Sequence, residues 1–198
     1  GRVRTSGHKI WLPHLDEVGK YSATPRSIAE AHALELKTCS AVIDPFCGAG
    51  ADAIAVAMAG PMVLASDCSD SRLQLARANA AHFGVTESIR FTQSEAEAAI
   101  AGALQEHRNL GLFLDPPWGG TDWGRHSISP TKLFHLLPNI ESVIGRFEVV
   151  VIKLPRTFPI QSLGRFGGRW EFRLGIDSKM VDPVDQVKTV IAIRHRLG

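Results

Sequence analysis

Short apolar runs alternate with amphipathic helical patterns along most of the chain. The predicted strands are 41–46, 62–66, 89–92, 110–114, 148–154, 169–174 and 187–195. The predicted helices are 26–36, 51–59, 71–83, 95–107 and 131–145, with Pro25 at the first position of the first helix. Strands that are separated by helical crossovers pair in parallel and carry helices on both faces. The pattern therefore predicts an α/β protein.

The last two apolar runs break this alternation, because a link containing Gly, Asp and Pro joins them with no helical pattern between. We expect these two runs to form an antiparallel C-terminal hairpin in a seven-stranded, mostly parallel sheet. No repeat or linker interrupts the 198 residues, a length typical of one domain. Residues 1–198 are predicted to be a single domain, with residues 1–20 as an irregular N-terminal segment.

The composition excludes several classes of protein. With 44% hydrophobic and 21% charged residues, the chain is neither disordered nor collagen-like. No apolar stretch approaches the about 20 residues of a membrane span, so we expect no membrane association. Three cysteines without a CxxC pair, and eight histidines without HxH or HExxH, predict neither a disulfide framework nor a metal site. A reducing, intracellular location follows as an expectation.

Charge is unevenly distributed along the chain. Residues 41–150 carry 7 basic and 12 acidic side chains, whereas residues 151–198 carry 9 and 4 and residues 1–40 carry 6 and 4. An acidic centre between basic ends suits a cationic or neutral cofactor in the middle and a polyanion at the rim. Ordinary solvated surfaces would explain the same distribution equally well.

The first predicted strand runs into a GxG turn, Asp44-Pro45-Phe46-Cys47-Gly48-Ala49-Gly50. Such a turn brings backbone close to a ligand at the switch point of an open sheet, although it also occurs as a plain tight turn. A dinucleotide site would need a third glycine where Ala53 stands, and Asp52 would lie beside the phosphates. A dinucleotide-dependent oxidoreductase is therefore a distant alternative.

Asp67 ends the second strand, where a carboxylate can accept hydrogen bonds from both ribose hydroxyls. Asp70 is expected to cap the next helix. Asp44 and Asp67 flank the turn without basic groups for a phosphate, which suits S-adenosylmethionine, an adenosine with a cationic sulfonium. After the third strand, Glu95 either contacts the adenine or favours the helix N-terminus.

The fourth strand ends in Asp115-Pro116-Pro117-Trp118-Gly119-Gly120. Two prolines cannot continue a strand or a helix, so the chain leaves the sheet in a rigid loop. The Asp115 carboxylate and the Pro116 carbonyl can accept the hydrogens of an exocyclic amine, and Trp118 can stack on the base. These three residues are the predicted catalytic set for methyl transfer, in which positioning lowers most of the barrier.

These motifs together resemble the trimethylguanosine synthase family, the RNA cap guanine-N2 methyltransferases, within the Rossmann-like class I methyltransferases. The resemblance covers nearly everything after the first twenty residues. It rests on Tyr21-Ser22-Ala23-Thr24-Pro25, Ile28-Ala29-Glu30, Asp44 to Gly48, Ala78-Asn79-Ala80, Phe83-Gly84-Val85, Pro116 to Gly120 and Leu154-Pro155-Arg156.

The resemblance implies roles for single residues. Thr24, Asp44 and Asp67 would contact the cofactor, and the full predicted cofactor-binding set is Thr24, Asp44, Phe46, Gly48, Gly50, Asp67 and Glu95. Ser22 would form the wall opposite Trp118. Arg156, and with it Lys153, would meet phosphates of a cap or an RNA chain or else be solvated strand-end charges.

The chain departs from the family pattern at three places. Asp115 stands where the family usually has Ser, although Asp is common in the wider amino-methyltransferase group. Ala51-Asp52 stands where the family tends to Gly-Asn. The helical N-terminal extension that helps the family hold the methylated cap is expected to be mostly missing, since only about twenty residues precede Tyr21. Trp11 and His14 would supply a reduced cap-binding wall or serve as packing anchors.

Three hypotheses about function follow from the sequence. The first is methyl transfer to guanine N2 of a capped RNA. The second is transfer to guanine N2 or adenine N6 at internal positions of rRNA or tRNA. The third is a non-catalytic S-adenosylmethionine-binding subunit, which the intact Asp115 to Trp118 loop disfavours.

Overall fold

Seven strands form one sheet in the computed structural model, which describes residues 11–118, 131–177 and 187–196. The strands are β1 (Ala41–Asp44), β2 (Met62–Asp67), β3 (Ile89–Gln93), β4 (Leu110–Leu114), β5 (Val149–Pro155), β6 (Trp170–Ile176) and β7 (Val187–His195). Their order in the sheet is β3-β2-β1-β4-β5-β7-β6. The first five strands are parallel, and β7 pairs antiparallel with both β5 and β6. The predicted sheet and its antiparallel hairpin are confirmed.

Helices cover both faces of this sheet. They are α1 (Gly19–Ser22), α2 (Arg26–Leu36), α3 (Ala51–Ala59), α4 (Asp70–His82), α5 (Ala96–Glu106), α6 (Thr131–Leu136) and α7 (Ile140–Val143). Short 3-10 segments occupy Thr86–Ser88, Ile144–Arg146 and Ile160–Phe166. None of the helices in the described ranges is long and apolar enough to cross a membrane.

The alternation of side chains along each strand divides the core into two layers. In β4, Phe113 belongs to the layer under α2, α3 and α4, whereas Leu112 and Leu114 belong to the layer under α5, α6 and α7. All five residues of β4 are buried. A strand with apolar groups on both faces is stable only when both faces are covered, which explains its uninterrupted apolar sequence.

The strand order reverses next to β1. From β1 the chain proceeds outward through β2 to β3, then returns to place β4 on the other side of β1. The helical connections after β1 and β4 therefore diverge, and a crevice opens at the carboxyl ends of these two strands. The loops after β1, β2 and β4 all emerge at this edge, so the sheet topology brings the three sequence motifs together.

Several predicted boundaries were wrong for identifiable reasons. β1 ends at Asp44 rather than at residue 46, because Pro45 has no N–H for the ladder and the Phe46 N–H donates to Asp44 Oδ1. Pro25 precedes α2 as its N-cap, with φ −56° and ψ 144°, instead of occupying its first turn. Ser69, not Asp70, caps α4, since the Ser69 hydroxyl accepts from the Arg72 N–H.

Two other predicted segments also differ from the structure: one predicted helix is interrupted, and the predicted irregular segment is partly helical. The helix predicted over 131–145 is two short helices and a 3-10 turn, because Pro138 interrupts it. The predicted irregular segment runs into the helical turn α1, which begins at Gly19. Its first ten residues, the Gly119-Gly120 pair and the hairpin link at 178–186 lie outside the described residues.

Gly50 is required for both conformation and space at the start of α3. Its φ is +89°, and a Cβ there would lie 3.2 Å from the Ala76 Cβ of α4. We expect Gly50→Ala to lower the free energy of unfolding by about 1–3 kcal/mol in chemical denaturation, from left-handed strain and close contact. Gly102→Ala is the matched control, since nothing lies within 4 Å of its added methyl in α5. It should raise stability by up to about 1 kcal/mol; equal losses in both variants would contradict the prediction.

Candidate functional site

A cavity of about 270 Å³ opens at the carboxyl ends of β1, β2 and β4. This volume is many times what one ordered water occupies, so the cavity is large enough for a small organic ligand. Its walls include residues of the segment before α2, of the glycine turn after β1, of the ends of β2 and β3, and of the Asp115 to Trp118 loop. The lining residues are Val18, Gly19, Ser22, Ala23, Thr24, Asp44, Pro45, Phe46, Cys47, Gly48, Ala49, Ala51, Asp52, Asp67, Cys68, Arg72, Ser94, Glu95, Ala96, Phe113, Asp115, Pro116, Pro117, Trp118, Leu136 and Lys153.

The glycine turn and Asp67 form one unit at the floor of the cavity. Gly48 has φ +51°, and its N–H donates to Asp67 Oδ2 at 3.1 Å. The other carboxylate oxygen accepts the Ser69 N–H at 2.9 Å. The Cys68 Sγ also lies 3.8 Å from Oδ1, whereas Oδ2 keeps a lone pair for a further donor. Asp67 therefore both shapes the turn after β1 and offers acceptor capacity to a ligand.

Asp44 is a buried carboxyl at the end of β1. It is 2% exposed, and its Oδ1 accepts the Phe46 N–H at 3.3 Å. Burial, followed by repulsion from Asp52, Asp115 and Asp67, raises the pKa of Asp44 well above its usual value. A cation bound next to Asp44 would stabilise the ionised form of its carboxyl.

A second buried carboxyl, Asp52, lies on the first turn of α3. Its Oδ2 accepts the Thr24 hydroxyl at 2.5 Å, and its Oδ1 lies 2.7 Å from His32 Nδ1 on α2. Burial by itself raises the pKa of Asp52, but the hydrogen bond and charge of His32, with Lys153 and Thr24, outweigh it and lower the pKa. Asp52 thus stays ionised inside the protein, tied to two side chains.

Lys153 of β5 forms an ion pair with Asp115, the first residue of the loop after β4. The Nζ–Oδ2 distance is 2.6 Å, and the Lys153 side chain is 5% exposed. Burial lowers the pKa of Lys153, but Asp115, Asp52 and Asp44 outweigh burial and raise it. Burial and repulsion from Asp52 together keep the pKa of Asp115 above its usual value, although the charge and hydrogen bond of Lys153 lower it.

Trp118 has contacts that the sequence did not predict. It is 4% exposed, its Nε1–H donates to the Lys153 carbonyl at 3.0 Å, and its ring packs edge-on against Phe158 at 5.5 Å. With its ring packed into the apolar layer, Trp118 lines the cavity but is not an open stacking surface. It anchors the Asp115 to Trp118 loop to β5; base stacking stays a prediction.

Cys47 also lines the cavity. It is buried, and burial together with Asp44 and Asp67 raises its pKa well above the usual value. The thiolate, not the thiol, is the reactive form of cysteine. The acidic surroundings of Cys47 therefore disfavour its thiolate form.

Most of the predicted site residues meet in this one cavity. The members that line it are Ser22, Thr24, Asp44, Phe46, Gly48, Asp67, Glu95, Asp115, Pro116 and Trp118. Gly50 does not line the cavity. It precedes α3 as the N-cap with a left-handed φ, so its role is conformational. Arg156 does not line the cavity either, since it is exposed just beyond the end of β5. Its predicted phosphate contact stays a prediction.

Three other side chains have partners that the sequence left open or did not predict. Lys153 is buried against Asp115, which matches neither a phosphate contact nor a solvated strand-end charge. Asp52 bonds to Thr24 and His32. Trp11 is a packing anchor, because its Nε1–H donates to the Thr24 carbonyl at 2.9 Å and its ring contacts Phe83.

Sequence reasoning missed His32 and the true role of Lys153. His32 lies on the apolar face of α2, and Lys153 stands inside the apolar run of β5. A lone charged residue within a buried strand indicates a buried partner, because burying an unpaired charge costs several kcal/mol. That signal predicts a partner for Lys153 but does not say which carboxylate it is.

The donor set of the cavity fits S-adenosylmethionine better than a metal. Four aspartates, Asp44, Asp52, Asp67 and Asp115, line it beside one buried lysine. This excess of negative charge favours a ligand that carries positive charge. Within the described ranges, no group of three or more His, Cys, Asp or Glu side chains has the arrangement of a metal site.

Comparison with known proteins agrees with this geometry. The sequence model of the RNA cap guanine-N2 methyltransferase family matches residues 39–184. Trimethylguanosine synthase of Saccharomyces cerevisiae is 28% identical over 155 residues, which are 73% of this chain and 49% of that protein. The chain thus spans about half the length of that relative.

Solved structures show the same fold. A SAM-dependent methyltransferase from Agrobacterium tumefaciens has a TM-score of 0.60 at 17% identity, over 87% of this chain and 63% of that one. An RNA methyltransferase from Salinibacter ruber, in complex with S-adenosyl-L-homocysteine, has a TM-score of 0.52 at 18% identity, over 87% and 92%. The family match covers most of the chain, and the cavity has the charge that an S-adenosylmethionine site requires. The chain belongs to the RNA cap guanine-N2 methyltransferase family of S-adenosylmethionine-dependent enzymes.

Proposed function

We propose that this chain transfers a methyl group to the exocyclic N2 amine of guanine in RNA, with a 7-methylguanosine cap as the acceptor. The observation that carries the proposal is the position of Asp115 and Pro116, which line the same cavity as Asp44 and Asp67. An amine held by Asp115 and Pro116 would therefore lie next to the cationic methyl donor, which would be bound beside Asp44 and Asp67. The family match and the Saccharomyces cerevisiae relative support guanine N2.

The residues of the chain act by binding and orientation. S-adenosylmethionine supplies the methyl group on a cationic sulfonium. The Asp67 carboxylate has acceptor capacity for ribose hydroxyls, and Asp44 provides negative charge for the cationic part of the cofactor.

On the acceptor side, Asp115 binds the amine. Its Oδ2 is occupied by Lys153, whereas Oδ1 has no hydrogen-bond partner in the described part of the chain and can accept an amine hydrogen. Pro116 and Pro117 stiffen the loop, so little conformational freedom is lost when the base binds. Holding the two reacting groups in this geometry supplies most of the rate enhancement, and no strong base is needed first.

The charge of the C-terminal part supports a polyanionic acceptor. Residues 151–198 carry 9 basic and 4 acidic side chains, and Arg156 lies exposed directly after β5. Basic side chains near an acidic cavity would bind RNA phosphates while the base enters the cavity. Such contacts fix the register of the RNA and are weakened by salt.

One observation favours a second candidate acceptor. Asp115 stands where the trimethylguanosine synthase family usually has Ser, and Asp is common among the wider amino-methyltransferases. Guanine N2 or adenine N6 at an internal position of rRNA or tRNA is therefore the alternative acceptor. The two candidates share the cofactor and the Asp115 to Trp118 loop and differ only in what surrounds the amine.

The test offers radiolabelled S-adenosylmethionine with three matched acceptors: an RNA with a 7-methylguanosine cap, the same RNA uncapped, and single-stranded DNA of the same sequence. Nucleosides are separated after digestion. We expect label in the cap guanosine of the capped RNA and none in the uncapped RNA or DNA. Label in internal guanosine or adenosine of both RNAs would support the second candidate, and no label in any acceptor would contradict both.

Asp44→Asn should stabilise the cofactor-free protein and weaken cofactor binding. The folded pKa of Asp44 is raised, so the folded state loses stability relative to the unfolded state as pH rises through that pKa. Asn cannot ionise, and its amide oxygen still accepts the Phe46 N–H. We expect a higher Tm at pH 7, by the equivalent of about 0.5–2 kcal/mol, and an affinity for S-adenosylmethionine reduced roughly 10–100-fold.

Calorimetric titration from pH 5 to pH 8 checks this prediction. The affinity of the unmodified chain should rise with pH as Asp44 ionises, and that of Asp44→Asn should change less. Asp70→Asn, an exposed residue on the first turn of α4, is the matched control and should keep the original pH dependence. A lower Tm with unchanged affinity would remove Asp44 from the cofactor site.

A further inference from the structure

Lys153 is a buried cation in an otherwise apolar strand. All seven residues of β5 are buried, and the Lys153 side chain is 5% exposed. Ordering and desolvating such a side chain costs several kcal/mol, which only close partners can offset. A hydrophobic residue would pack at this position without that cost. Stability alone therefore does not explain why a charged side chain occupies position 153.

Lys153 holds both ends of the Asp115 to Trp118 loop. Its Nζ donates to Asp115 Oδ2 at 2.6 Å, and its carbonyl accepts the Trp118 Nε1–H at 3.0 Å. Its Nζ also donates to Thr24 Oγ1 at 3.0 Å. The residue thus connects the loop after β4 to β5 and to the segment before α2.

The hydrogen-bond chain continues from Thr24 to the far side of the cavity. The Thr24 hydroxyl donates to Asp52 on α3, whose second oxygen bonds His32 on α2. With both of its hydroxyl contacts made, Thr24 cannot turn away from Lys153. The ammonium position is therefore determined from α2 and α3 as well as from Asp115.

We propose that Lys153 is a positioning residue for methyl transfer, which keeps the Asp115 carboxylate ionised and oriented so that Oδ1 is left to accept the acceptor amine. This inference rests on the proposed function. It accounts for Asp115 and Lys153 as a pair, because a buried carboxylate at the acceptor position requires a fixed counter-charge.

The charged groups that face Asp115 determine its behaviour without Lys153. They are Lys153 on β5, Asp52 on α3, His32 on α2, and Asp44 at the end of β1, which faces both Asp115 and Lys153. Removal of Lys153 leaves two carboxylates and a histidine already paired with one of them. The pKa of Asp115 would then rise further, and a protonated carboxyl at this position donates a hydrogen bond where the amine needs an acceptor.

The test compares the pH dependence of kcat in the unmodified chain, Lys153→Met and the control Lys37→Met, a lysine exposed at the end of α2. We expect Lys153→Met to lose about 100-fold in kcat at pH 7 and to regain most of it at higher pH, because the acid limb of its profile moves upward. KM for RNA and affinity for S-adenosylhomocysteine should stay within a few-fold. Lys37→Met should match the unmodified chain.

Two outcomes would overturn the proposal: an unchanged kcat, or a loss of equal size at every pH, which a merely structural role would produce. Should Lys153→Met not fold, the double variant with Asp115→Asn removes both charges. Folding of the double variant would support the proposal, because the single change then failed through the unpaired Asp115. Failure of both variants to fold would make Lys153 a packing residue and overturn it.

The test of the role of Lys153 can be separated from the test of the proposed function. The pH profile is measured with whichever base the unmodified chain methylates, guanine or adenine. NMR of the Asp115 side-chain carboxyl carbon, assigned by its loss in Asp115→Asn, needs no acceptor. A titration that moves to higher pH in Lys153→Met supports the pairing even if guanine N2 is not the acceptor, and an unmoved titration overturns it.

Discussion

Asp115→Ala is expected to reduce kcat by about 100–1,000-fold while S-adenosylmethionine binds with nearly unchanged affinity. Asp115 is the only carboxylate in the described Asp115 to Trp118 loop, and its Oδ1 is available to accept an amine hydrogen. Losing one preorganised hydrogen-bonding group at a reacting centre costs a factor of this size. Single-turnover kinetics on the preferred RNA, together with calorimetric binding of the cofactor, measure the two effects separately.

The size of the effect depends on where the aspartate lies, and a surface aspartate provides the control. Asp70→Ala alters an exposed position on the first turn of α4 and should leave kcat within a few-fold. If Asp115→Ala instead weakened cofactor binding as much as it slowed turnover, Asp115 would belong to the cofactor side. The proposed role at the acceptor amine would then be wrong.

Trp118→Ala is expected to lower the free energy of unfolding by about 3–5 kcal/mol and kcat by at least about tenfold. The ring is buried against Phe158, and its N–H is bonded to the Lys153 carbonyl. Removing it leaves a cavity between the loop and β5 and an unpaired carbonyl. The loop that holds Asp115 would lose its anchor, so turnover falls together with stability.

Denaturant unfolding and cofactor binding distinguish anchoring from base stacking. Trp118→Phe keeps an aromatic face but loses the hydrogen bond, so it should regain part of the stability and less of the turnover if anchoring dominates. Trp170→Ala removes a half-buried tryptophan at the start of β6, which packs on Phe166 away from the cavity. It should lower stability but leave kcat within a few-fold. A large loss of kcat in Trp118→Ala without loss of stability would favour stacking over anchoring.

The motifs at strand ends were the most informative part of the sequence. Asp44, Asp67 and Asp115 were each predicted close to the end of a strand, and the structure brings all three to one cavity. This succeeded because parallel strands end at a common edge, so local patterns already determine which residues meet. Helix ends were less accurate, since capping at Pro25 and Ser69 depends on one hydrogen bond or one dihedral angle.

The sequence by itself determined the order of strands and helices, the parallel sheet with its closing hairpin, and the three loops that form the site. These follow from local periodicity and from chain connectivity. Only the tertiary structure decided the direction of individual side chains: Lys153 turned inward to Asp115, Asp52 to His32, and Trp118 into the apolar layer. The physical reason is that a buried charge or ring takes the partner that packing supplies, and that partner lies far away along the chain.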